Sequence, residues 1–181
     1  MGCTRGPVLG PFMVLILMLN TLLMQMCQWG MYWDAPEAVA QCLDHFCRLD
    51  KNTLRASHIN SILELPLAIH SMPKYPCVEL ECCEWLIHHF SDVTQIIQDK
   101  ERYTHFCALG GAAIRLWAGL DDLVAVSENE VAVALTFWHH AQRRRGDQDG
   151  LERELSRLVR VSQMTKSFRW VACAARMRSL L

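Results

Sequence analysis

Nine cysteines and eight histidines are the residues of this chain with the widest chemical reach. The cysteines stand at 3, 27, 42, 47, 77, 82, 83, 107 and 173, and the histidines include two adjacent pairs, His88-His89 and His139-His140. Thiolates and imidazoles are the usual ligands of zinc, so Cys82, Cys83, His88 and His89 form the first combination to weigh. Their spacing is wrong for it. Structural sites pair closely spaced cysteines with a similarly spaced histidine couple, and no C-x-x-C occurs here. Adjacent residues on a helix also point about 100° apart, so neither pair puts both side chains on one face. The expectation is that one member of each pair packs inward and the other is solvated, with no metal and no cofactor.

Motifs that carry catalysis are missing. The chain has no G-x-G-x-x-G, Walker loop, H-E-x-x-H or G-x-S-x-G. A Cys–His pair brought together by folding is the remaining catalytic option. The expectation is a non-enzymatic protein.

Cysteine usage also bears on compartment. The count is odd, and Cys42, Cys47, Cys82, Cys107 and Cys173 fall at apolar positions of helix-like patterns, where free cysteine behaves as a small hydrophobe. No N-x-[ST] sequon occurs. The reading is a reduced intracellular setting, cytoplasm or nucleus. The alternative is the secretory pathway or a membrane, with some cysteines paired.

That alternative rests on the N-terminus. Arg5 precedes an apolar run over 12–19, which continues with polar interruptions to Met26. Residues 1–27 therefore read as a signal peptide or anchor, although the small-residue cleavage positions are poor. The favoured reading is a buried helix of the fold, because Asn20, Gln25 and Gln28 leave a wide apolar face. Gly2-Cys3 resembles a lipidation start, but Gly6 stands where myristoylation wants serine or threonine.

Trp29 and Trp33 follow this run with Met31 and Tyr32, a grouping that favours a border between apolar matter and water. They are candidates for a membrane or partner contact, with membrane association through residues 8–33. Trp85, Trp117, Trp138 and Trp170 sit in helical apolar stripes and read as core.

The formal charge of −1 conceals an asymmetry. Residues 28–138 hold 15 acids and 7 bases, while residues 139–181 hold 4 acids and 10 bases. Arg143, Arg144, Arg145, Arg160 and Arg169 are the candidate contacts for an anionic partner, a membrane or an acidic protein surface. Nucleic acid is the less favoured partner, and pairing with the acidic body of the same chain is the competing reading.

The elements that must position these residues are helical. Of the 181 residues 51% are apolar and 20% charged, which excludes wholesale disorder, and nine glycines and six prolines exclude collagen-like or low-complexity sequence. Asp34-Ala-Pro-Glu37 reads as a helix start with Asp34 as cap, leading into Val39, Cys42, Leu43, Phe46 and Cys47. Thr53 is expected to cap a helix carrying Ile59, Ile62 and Leu63, which ends near Pro66 before a short helix over Leu67–Met72. A loop is expected from Pro73 to Pro76, then a helix over Val78–Phe90. Ser91 or Asp92 caps the next. Tyr103 to Trp117 is amphipathic, with a break at Gly110-Gly111, and Ser127-Glu-Asn-Glu130 opens a helix with Val131, Ala134, Leu135 and Trp138 inward. Leu151–Leu181 reads as one or two basic helices.

The sum is an all-α chain of about seven to nine helices, either a compact bundle or a short stack of helix pairs. Its expected parts are an apolar segment over 1–30, an acidic body over 34–141 and a basic segment over 151–181. The expected function is a protein–protein interaction or adaptor role, with a secreted or membrane-anchored helical factor as the alternative.

Overall fold

A computed structural model describes residues 11–145 and 164–166. Gly2-Cys3, Arg160, Arg169, Trp170 and Cys173, and all but residues 164–166 of the basic C-terminal stripe, lie outside the described residues. Within them the protein is all-α. Nine helices run in order: α1 Pro11–Tyr32, α2 Pro36–Phe46, α3 Ala56–Leu63, α4 Leu67–His70, α5 Tyr75–Phe90, α6 Val93–Gln98, α7 Lys100–Phe106, α8 Gly111–Ala118 and α9 Glu128–Arg145. A 3₁₀ turn, Lys51–Thr53, precedes α3. The only extended pairing among the described residues is an isolated parallel bridge between Asp92 and Val124. The chain divides into two compact units at Cys82 and Cys83, within α5.

In the first unit, α1 and α2 form a tight hairpin. Asp34 has a φ of 51°, the left-handed conformation that aspartate tolerates better than most residues. Its N–H reaches Met31 O at 3.3 Å, and the next N–H, of Ala35, reaches Gly30 O at 2.7 Å. These are the two bonds of a Schellman ending, so Asp34 terminates α1. It does not cap α2, as the sequence suggested; Ala35 takes that place, with Pro36 where a missing N–H costs nothing. The helices then touch at Gly30. A Cβ there would stand 2.6 Å from Val39 Cγ2, so only glycine permits this approach.

Behind the hairpin, Ile59, Ile62 and Leu63 of α3 are buried as their spacing requires. Thr53 bonds Asp50 O within the 3₁₀ turn instead of capping α3. That helix starts after Arg55, whose N–H donates to His58 Nδ1 at 3.2 Å. α3 ends at Leu63, three residues before Pro66, which is the N-cap residue of the short α4. Proline at the second position of α5 lets that helix begin at Tyr75, two residues inside the expected loop.

The second unit is built from short helices with frequent ends. Asp92 caps α6 by accepting Gln95 N–H at 3.0 Å, and Asp99 caps α7 by accepting from Glu101 and Arg102. The stripe from Tyr103 to Trp117 is split, with Gly110 as the N-cap residue of α8. The carbonyls freed at this break are met by side chains of α9. The Trp138 indole donates to Leu109 O at 2.8 Å, and the Gln142 amide donates to Cys107 O at 2.9 Å and Leu109 O at 3.3 Å. The Trp117 indole similarly donates to Phe90 O at the end of α5. At the start of α9, Glu130 accepts Val126 N–H at 3.0 Å, a neighbouring version of the capping box read from Ser127. Asn129 bonds Thr165 reciprocally, and Met164 is buried.

The Gly30 approach gives a double-mutant test. Gly30→Ala should destabilise the chain by about 1–2 kcal/mol, because the stiff Val39 side chain must move by more than the helix gains in propensity. In a Val39→Ala background the same change should be neutral or stabilising by up to about 1 kcal/mol. Denaturant unfolding of the four proteins measures both values; equal effects in the two backgrounds would contradict the contact.

Candidate functional site

The two faces of α1 differ in kind. Met24, Cys27 and Gly30 are buried, and α1 packs against α2 and α3. Leu22, Met26, Trp29 and Trp33, spaced by four, three and four residues, remain exposed, with the two tryptophans 58% and 74% open to solvent. That spacing places them along one side of the helix. Tyr32 is also exposed and meets Trp33 edge-on, with ring centroids 5.2 Å apart. The sequence singled out Trp29 and Trp33. It missed Leu22 and Met26, which their helical spacing to the tryptophans would have revealed.

On the covered side, Cys27 and Cys42 face one another across the hairpin. Burial first, and then the neighbouring Cys42, push the Cys27 thiol up to about 12. Cys47 at the end of α2 is also raised, first by burial, then by Cys77, Glu81 and Asp44, against the pull of Lys74. Around it lie ion pairs of Asp44 with Lys74 at 3.0 Å and with Arg48, and of Lys51 with Glu81 at 3.2 Å. The Lys74 bond holds Asp44 below its ordinary carboxylate range. Both raised thiols remain protonated at neutral pH, the wrong state for a nucleophile.

His70 and His89 are held by packing. His70 stacks on Tyr75 at 4.2 Å, and burial pushes that tyrosine hydroxyl up to about 12. His89 stacks on Trp85 at 4.2 Å and bonds Trp85 O through Nδ1 at 2.9 Å, while His88 is exposed. The Trp85 indole N–H is buried without a hydrogen-bond partner. Burial lowers both His58 and His89, with Arg55 adding to the first; the carbonyl bond of His89 opposes the shift and His88, Arg102 and His105 reinforce it. Among the described residues no group of three or more His, Cys, Asp or Glu is arranged to hold a metal ion.

Arg143 is exposed near the end of α9, and Arg144 and Arg145 complete that helix. Arg160 and Arg169 lie outside the described residues. A cavity of about 280 Å³ lies between the end of α8 and the start of α9, lined by Ala118, Leu120, Asp121, Leu123, Glu128 and Val131 among others. It is slightly smaller than typical small-molecule sites, about 300–1,000 Å³. Among residues with described side chains, no helix is long and apolar enough to cross a membrane. Comparison with protein families, curated proteins and solved structures finds no match.

The lowered histidines fix a sign for pH. Both bind fewer protons folded than unfolded between their depressed values and the ordinary 6.5, so stability rises with pH across that window and is lost as pH falls below it. His58 has a second reason, since protonating Nδ1 removes the acceptor for Arg55 N–H. Denaturant midpoints should therefore fall between pH 7 and pH 5 (about the histidine range). His58→Gln, which keeps an acceptor but does not titrate, should flatten that fall; an unchanged slope would contradict the assignment.

Proposed function

We propose that this chain is a non-enzymatic helical interaction protein that offers the outer stripe of α1 to an amphipathic helix of a partner protein. The observation that carries this reading is the run of Leu22, Met26, Trp29 and Trp33 left exposed along one side of α1. Contiguous large apolar side chains on a surface mark an interaction site, and tryptophan is prominent among residues that dominate binding energy. The basic C-terminal region, beginning at Arg143–Arg145, is a second contact toward an anionic surface.

A secreted or membrane-anchored factor is the second reading. It is favoured by the 22 residues of α1, which include no charged side chain. The mature N-terminus separates the two, since cleavage near 27–30 would leave α1 off the final protein.

Placing a photo-crosslinking residue at Met26 in the full chain, in cells, reads the occupant of the stripe directly. A protein adduct that falls at least about tenfold when Trp29 and Trp33 are changed to serine supports the reading, in line with about 2 kcal/mol per anchoring residue. Adducts to lipid alone favour the second reading, and a protein adduct indifferent to both tryptophans removes the first. Reversing Arg143, Arg144 and Arg145 to glutamate should weaken binding of the identified partner and reduce its dependence on salt. Unchanged affinity across salt concentrations would dispose of the arginine contact.

A further inference from the structure

We propose that Cys27 and Cys42 are a disulfide-forming pair, through which an oxidising environment covalently staples α1 to α2. The argument rests on register. Gly30 stands against Val39, so close that a Cβ would lie 2.6 Å from Val39 Cγ2. In an antiparallel hairpin, stepping back three residues along α1 and forward three along α2 reaches the next pair of facing positions. Those positions are Cys27 and Cys42. Both are buried, and Cys42 is close enough to Cys27 to act on its thiol. One turn further, Leu23 and Phe46 continue the series, with Phe46 buried. A disulfide demands close backbones and converging Cβ atoms, which most helix pairs do not provide. The missing side chain at Gly30 provides the approach one turn away.

The bond forms by thiol–disulfide exchange with a small disulfide oxidant such as glutathione disulfide. One thiolate of the pair attacks the oxidant, breaking its S–S bond, forming a mixed disulfide and releasing one reduced thiol. The second cysteine attacks the protein-linked sulfur of that mixed disulfide and releases the other. Two electrons and two protons leave the protein, and both halves of the oxidant depart as thiols. Burial suppresses thiolate in the closed hairpin, so exchange proceeds before the hairpin packs or while it opens. The proposal requires that α1 remain on the chain, whether its outer stripe meets a protein or a lipid surface.

The test uses the full reduced chain, equilibrated in glutathione buffers from reducing to oxidising, then denatured and alkylated. Cleavage before aspartate at Asp34 and Asp44, with cleavage after Arg5, isolates Cys27 in residues 6–33 and Cys42 in residues 34–43. The expected product under oxidising conditions joins these two peptides, about 2 Da lighter than their sum. The oxidised chain should also favour folding by about a hundredfold, as expected for closing a loop of this length. That gain should vanish with dithiothreitol and be absent in Cys42→Ala. Full alkylation of both cysteines under oxidising conditions would overturn the proposal. So would Cys27 joined to a different cysteine, or an oxidation-induced gain identical in wild type and C42A.

Discussion

The unsatisfied ends of short helices are the constraint on which the second unit depends. Every helix leaves its last carbonyls without partners in the helix, and a chain that breaks its helices often multiplies them. At the α7–α8 break these groups sit beneath α9, away from water. Trp138 and Gln142, one turn apart on α9, reach down to them, and Trp117 does the same for the end of α5. These side chains therefore do two jobs: their bodies fill the core, and their N–H groups close the backbone. An isosteric apolar replacement would fill the same volume yet leave buried carbonyls unpaired, a cost of about 1–3 kcal/mol each. Leucine at these positions would lose both the donor and part of the buried volume.

The first unit solves a different problem with a different device. Its longest helix must turn back within three residues and still lie close to its neighbour. Asp34 supplies the left-handed turn, Pro36 supplies a helix start that wastes no N–H, and Gly30 removes the side chain that would hold the helices apart. Closeness then decides what the inner face can contain. Cys27 and Cys42 are buried one turn from this approach, and Met24 and Phe46 are buried on the same helices, whereas Trp29 and Trp33 are turned to the outside.

Helix positions and buried stripes were legible in the sequence wherever apolar spacing was regular. Val39, Cys42, Leu43 and Phe46 are buried in α2, and Val131, Ala134, Leu135 and Trp138 in α9. Caps were legible only where a single reading existed. Asp92 has one helix to serve, but Asp34 lies between two, and the left-handed conformation it adopts is a property of the closed hairpin. Cys27 and Cys42 were invisible as a pair because their meeting depends on register, which Gly30 fixes through a contact nine residues away in sequence. The outer stripe of α1 was half legible. Tryptophans attract notice, whereas Leu22 and Met26 look like core until the opposite face is seen to be the buried one.

The placement of reactive side chains bears on the proposed reading. A catalytic group needs a charge state matched to its task and a reacting partner within reach. Cys27 and Cys47 are held protonated by burial, while His58 and His89 are held neutral and committed to backbone bonds. Such groups stabilise a fold more readily than they turn over a substrate. The large side chains left in water on the outer stripe of α1 offer mainly area: Leu22, Met26 and Trp29, with Trp33 just beyond. Area of that kind gains free energy by being covered, and aromatic side chains contribute it with few rotatable bonds to immobilise. This division supports the interaction role proposed above, since the thiols and imidazoles with shifted values lie at least half covered while large apolar side chains of α1 face solvent.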